Sequence, residues 1–129
     1  MNNTGFTKVS ATTPKSILFC TEPKISVSIV VTNTGLVADS DGKKILKAGT
    51  PITGDLTARN TPFAKETTTE TVSNAVAILL EDADVTNGQV NSAALIFGAV
   101  DLGKIYTTTA ALITPAVKNA LSGRIMFCK

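Results

Sequence analysis

The feature that most constrains the fold is an alternation of apolar and polar side chains that begins at residue 25 and keeps Ile or Val at every second position to residue 31. Every second residue in this stretch is Ile or Val, whereas Ser26 and Ser28 fall on the other side. A period of two is that of a half-buried β-strand, because successive side chains of a strand point to opposite faces. Threonine recurs along the chain and Val and Ile are plentiful, and such β-branched residues favour strands over helices. The sequence therefore predicts a mainly β fold.

Two apolar runs, residues 75–80 and 93–100, predict the centre of the sheet. The first run also matches helical spacing, but its flanking threonines favour a strand. Asn87-Gly88 lies between the runs and is typical of a tight turn. We therefore expect the two strands to pair with each other in antiparallel fashion at the core.

The C-terminal part predicts one short helix followed by a closing strand. Thr114 is suited to the N-cap, Pro115 to the first helical position and Gly123 to the C-terminal end. Residues 124–128 then form an apolar strand. With 129 residues, enough for one domain, the prediction is a compact β-sandwich or barrel-like domain over residues 24–129, with one C-terminal helix.

Residues 1–23 form a polar N-terminal segment rich in Asn, Thr, Ser and Lys. Its few apolar residues are able to serve as contacts if the segment is an arm that adds a strand to a neighbouring sheet. The alternative is a frayed terminus. The candidate contacts are Phe6, Val9, Ile17 and Phe19.

Residues 53–71 predict a long polar loop. Its length exceeds that of most connections, which favours a loop with a function or one shaped by a partner. Arg59, Phe63 and Lys65 are its candidate partner-facing residues. Phe63 has a second interpretation, in which it pins the loop to its own core.

Histidine and the sequence motifs of the common catalytic mechanisms are missing. The chain has no histidine, which removes the commonest general base and the Ser-His-Asp triad, and no phosphate-binding loop or nucleophile elbow occurs. Glu81, Asp82 and Asp84 remain as a carboxylate group, either for a metal or acid-base site or as a solvated strand end that caps backbone N–H groups. We expect no catalysis and no cofactor.

Several binding classes are also disfavoured. Asp39 and Asp41 have the spacing that begins a calcium loop, but Lys43, Lys44 and Thr50 occupy later ligand positions. A net charge of +2 is too small for nucleic-acid binding. Cys20 and Cys128 cannot build a four-ligand zinc site, and they are either buried thiols or one bridge. No apolar run is long enough to cross a membrane, and the first residues lack the features of a signal peptide.

The order of short motifs carries a resemblance. The segment containing Ala48-Gly49-Thr50-Pro51 is followed by apolar strands at residues 75–86 and 94–102 and then by the helix at 114–121. This order resembles tailed-bacteriophage head decoration proteins and the base of head fibre proteins, over roughly residues 43–127. The family patterns are "AGTP", "GILL-x-D-V-D-V" and "ALI-x-G-x-V-D". Here Ala77 replaces the glycine and Ala83 replaces a valine.

The resemblance implies a structural virion protein on the outer surface of an icosahedral phage head. Such proteins bind the major capsid protein, usually as homotrimers, and reinforce the shell. Residues 5–20 would then contact the capsid through Phe6, Val9, Ile17 and Phe19. Longer head fibre members continue beyond the closing strand, so this chain would correspond to the base alone. The alternative from another class is a secreted or surface adhesin or pilin-like β module, whose Thr-rich arm completes the fold of a neighbour.

Overall fold

The computed structural model describes residues 16–20, 22–66 and 72–129. It is mainly β, with 34% of these residues in strands and 12% in helices, as the sequence predicts. The elements described are β1 (Ile25–Val31), β2 (Ile45–Leu46), β3 (Pro51–Thr53), β4 (Ala64–Lys65), β5 (Ala77–Leu79), β6 (Ala83–Asp84), β7 (Val90–Asp101), α1 (Thr107–Ala110), α2 (Pro115–Ala120) and β8 (Ile125–Cys128).

The long strand β7 organises the main sheet, whose order is β1-β7-β5-β3-β4. Its first part pairs antiparallel with β1 on one side and with β5 on the other. Its last part pairs in parallel with β8. The predicted antiparallel pairing of the two apolar runs is confirmed, because Ile78 is opposite Leu95 and Leu79 is opposite Ala94.

A second, two-stranded sheet joins β2 to β6. The turn before β2 is held by the Asp39 carboxylate, whose Oδ1 accepts hydrogen bonds from the backbone N–H groups of Asp41 and Lys43. Gly42 closes the turn with a φ of 75° and an N–H donated to the Asp39 carbonyl. The polar residues at 39–42 therefore serve as turn residues.

Two apolar clusters lie on opposite faces of the main sheet. Ile78 packs in one cluster, whereas its neighbours Ala77 and Leu79 pack in the other, as the alternation of a strand requires. The first cluster is covered by the helical region and contains Val117 and Leu121. The second lies under the β2–β6 sheet and the loops and contains Leu46, Phe63 and Val85.

The predicted C-terminal helix is confirmed as α2. The Thr114 hydroxyl accepts a hydrogen bond from the backbone N–H of Val117, and Pro115 stands at the start of the helix. A second short helix, α1, was not predicted. Its Thr-Thr-Thr-Ala sequence has low intrinsic helix propensity, so tertiary contacts decide its conformation.

The chain joins the core earlier than residue 24. Ile17 and Leu18 are buried in the first cluster, and Leu18 bridges to Val100 of β7. The Ile17 carbonyl accepts from the N–H of Asp101, and the Leu18 carbonyl accepts from the Lys104 ammonium. Residues 16–20 are thus docked along β7, in contrast with the predicted arm, which extends to residue 23.

Candidate interaction surface

The most distinctive surface feature is a groove of about 700 Å³ beside the end of β7 and β8. We call it the apolar groove. It is lined by Phe19, Phe97, Ala99, Met126 and Phe127. Phe19 is 52% exposed, Phe97 39% and Met126 66%. Single exposed apolar side chains are common on protein surfaces, but contiguous ones mark an interaction site.

The strand register brings these residues together. Ala99 lies opposite Met126 in the β7–β8 pair, and the N–H of Phe19 donates to the Ala99 carbonyl at 3.0 Å. Directly opposed residues of neighbouring strands share a face. Phe19, Ala99 and Met126 therefore form a row across three chain segments, and the exposed Ile25, opposite Phe97, extends the patch.

The charged side chains that line the apolar groove are both basic, namely Lys118 and Arg124. Nη1 of Arg124 donates to the Val76 carbonyl at 2.9 Å, which fixes the position of the guanidinium. Within residues 16–20, 22–66 and 72–129, the one ion pair is Lys47 with Asp82, which does not involve this groove. The charged residues that line this apolar groove are therefore all of positive sign.

Strand β8 presents a backbone edge to the same groove. The N–H of Gly98 donates to the Arg124 carbonyl, whereas the N–H of Ile125 turns the other way and donates to the Leu121 carbonyl. Peptide groups along a strand alternate between its two sides. The N–H and C=O of Phe127 accordingly point away from β7.

The long loop does not present its aromatic residue to a partner. Phe63 is fully buried in the second cluster and exchanges backbone hydrogen bonds with Val30 and Thr32. The interpretation that Phe63 pins the loop to its own core is confirmed. Arg59 is exposed, but its Nη1 donates to the Ser28 carbonyl at 2.9 Å, and Lys65 is half-buried in β4.

Two of the three predicted carboxylates, Asp82 and Asp84, accept hydrogen bonds from backbone N–H groups. Asp82 accepts from the N–H of Ala48 and lies 3.8 Å from the Lys47 ammonium. Asp84 accepts from both the hydroxyl and the N–H of Thr86, which lowers the pKa of Asp84. Among the residues described, no group of three or more potential ligands is arranged to hold a metal ion. The structure thus supports the strand-end interpretation.

A second groove, of about 790 Å³, contains the aromatic ring of Tyr106. Leu80 and Ile105 line it together with Glu81 and Asp82. The Lys47 ammonium lies 5.0 Å from the centre of the Tyr106 ring, a cation–π contact. Acidic and basic groups are thus mixed here, in contrast with the apolar groove.

The remaining candidate residues are those of the N-terminal segment and the two cysteines. Phe6 and Val9 lie outside the described residues. Ile17 is 2% exposed, so its side chain belongs to the core, whereas Phe19 reaches the apolar groove. Cys20 and Cys128 are free thiols, the first exposed and the second half-buried.

No known protein-family model matches this chain, and no curated protein is significantly similar to it in sequence. Within the described part, no helix is long and apolar enough to span a membrane. The functional interpretation therefore rests on the residues exposed at the protein surface. The apolar runs at residues 93–100 and 124–128 predict a core strand and a closing strand but not the groove, because periodicity does not show that Phe97 and Met126 are exposed.

Proposed function

We propose that this protein is a structural virion protein that binds the outer surface of a tailed-phage head as a homotrimer and reinforces the capsid. The observation that carries the proposal is the exposed apolar groove formed by Phe19, Phe97 and Met126 on a sheet with two buried clusters. A protein that staples a shell needs a stable core and a surface for its neighbours, and it needs no catalytic group.

The motifs behind the resemblance have structural roles that support the proposal. Gly49 of the Ala-Gly-Thr-Pro segment has a φ of 98°, and Pro51 begins β3. Ile78 and Leu79 form the pairing of β5 with the central strand β7. The residues shared with the decoration-protein pattern therefore build the sheet that positions the groove.

In this proposal the described residues form a compact β-sandwich or barrel-like domain, and the residues before Ser16 form the arm. The buried Ile17 anchors the base of the arm. Phe6, Val9 and the exposed Phe19 contact the major capsid protein. Three arms on one trimer would raise the effective affinity well above that of a single arm, because the second and third contacts become intramolecular.

Native mass spectrometry and co-sedimentation with capsids assembled from the major capsid protein of the same virus test the proposal. We expect a trimer that sediments with the capsids. Deletion of residues 2–15 should weaken this binding, whereas Val37→Ser, which alters a 90% exposed residue outside the groove, should leave it unchanged. A stable monomer, or a protein that stays in the supernatant, would reject the proposal.

A further inference from the structure

We infer that the apolar groove and the free edge of β8 receive an extended segment of a partner protein that carries apolar and acidic side chains. The inference deepens the proposed function and rests on it for the identity of the partner, namely the major capsid protein. The folded domain then contacts the capsid protein through this groove, and the arm makes a separate contact.

The backbone of β8 is suited to accept a strand. Phe127 directs its N–H and C=O away from β7, as the hydrogen bonds of Arg124 and Ile125 require. Main-chain hydrogen bonds to a sheet edge give affinity, and side-chain pockets next to that edge give specificity. Here the neighbouring pocket is the groove of Phe19, Phe97 and Met126.

The charged residues around the groove indicate which kind of segment binds there. Lys118 and Arg124 line the groove, and the side chain of Lys24 starts next to Gly98, another lining residue. Two acidic residues lie next to lining residues, Glu22 along the chain and Asp101 opposite Cys128 in the strand pair, but neither lines the groove itself. A segment with carboxylates would therefore meet unlike charge at this groove.

The same charges disfavour the two occupants that the chain itself could provide. Residues 1–15 contain Lys8 and Lys15 and no acidic residue. Two copies that met groove to groove would bring Lys118 and Arg124 of one copy towards those of the other. Like charges across an interface cost affinity, so a partner segment with acidic residues fits best.

Two matched nine-residue peptides with a fluorescent label test the inference on the full chain. One alternates Val and Glu, and the other alternates Val and Lys. We expect the glutamate peptide to bind and to slow hydrogen exchange at the Phe127 amide. Met126→Ser should weaken this binding about tenfold, as the loss of an apolar anchor does, and Lys118→Glu about fivefold.

Val37→Ser and Lys43→Glu are the matched controls, because both residues are exposed and lie outside the groove. Equal binding of the two peptides, or no binding, would overturn the inference. Protection of Phe127 that rises with protein concentration would indicate a second copy instead. Protection that disappears on deletion of residues 2–15 would indicate the chain's own N-terminal segment. Either result would also overturn it.

The capsid assay separates this inference from the proposed function. If Met126→Ser and Lys118→Glu remain trimeric and bind capsids like the unaltered protein, the groove inference fails while the decoration role stands. If the unaltered protein binds the glutamate peptide but not capsids, the decoration role fails while the groove chemistry stands.

Discussion

Gly49 lies so close to Ile105 that a Cβ atom on Gly49 would be 2.7 Å from Ile105 Cδ1. Gly49 also has a φ of 98°, and its N–H donates to the Leu79 carbonyl at 2.8 Å. The turn between β2 and β3 is therefore held against β5 on one side and against Ile105 on the other. Both the backbone conformation and the lack of space require glycine here.

We expect Gly49→Ala to lower the free energy of unfolding by about 2–5 kcal/mol, the sum of left-handed backbone strain and overpacking. Gly42→Ala is the matched control, because Gly42 has a φ of 75° but nothing within 4 Å of its added Cβ. The control should cost only about 1–2 kcal/mol. Urea unfolding of both variants measures the difference, and equal losses would show that Ile105 does not limit this position.

Phe63→Ala should be among the most destabilising single changes. Phe63 is fully buried in the second cluster, and removal of a buried phenylalanine side chain typically costs about 3–5 kcal/mol. Phe19→Ala is the control, because Phe19 is half exposed and a surface change of this kind costs about 0.5 kcal/mol or less. Thermal or urea unfolding compares the two, and similar losses would contradict the assignment of Phe63 to the core.

The N-cap of α2 should contribute measurably to stability. Thr114→Ala removes the hydroxyl that accepts from the Val117 N–H, and such a loss costs about 1 kcal/mol. Thr114→Ser keeps the hydroxyl and should retain most of the stability. If both variants unfold at the same urea concentration, the hydrogen bond to Val117 does not stabilise the helix.

Long periodic segments could be predicted from the sequence, whereas short contacts could not. The alternation at residues 25–31 gave the bounds of β1, and Thr114 with Pro115 marked the start of α2. Strands β4 and β6 have two residues each, which is too few for a period to be detected. Their positions follow from long-range pairing, such as Leu46 with Ala83.

The interaction surface also could not be predicted from local sequence patterns. Ile17 and Phe19 are two residues apart in a polar segment, yet one is buried and the other lines the groove. This difference depends on the docking of residues 16–20 along β7, which local sequence does not specify. The roles of Phe63 and of the carboxylates at 81–84 could be stated only as alternatives, because burial decides between them.

The Asp84 turn should make the stability of the protein depend on pH. The Thr86 hydroxyl donates to Asp84 Oδ1 at 2.5 Å, and this bond, followed by the Thr86 N–H, lowers the pKa of Asp84. Thr86→Val removes the hydroxyl and should raise the pKa towards that of an ordinary aspartate. Side-chain carboxyl chemical shifts followed by NMR during an acid titration measure the change.

The lowered pKa of Asp84 determines how the free energy of unfolding changes with pH. A lowered pKa in the folded state stabilises the protein above the ordinary aspartate pKa, and that contribution is lost as the pH falls through the lowered value. Thr86→Val also loses the acceptor of the Lys44 N–H, a cost present at every pH. The difference in the free energy of unfolding between the unaltered protein and Thr86→Val should therefore become smaller below about pH 4, but it should not reach zero. Asp55, whose pKa is lowered in the same way by Thr57, is the internal control: its titration should not change, and an Asp84 titration identical in both proteins would refute the assignment.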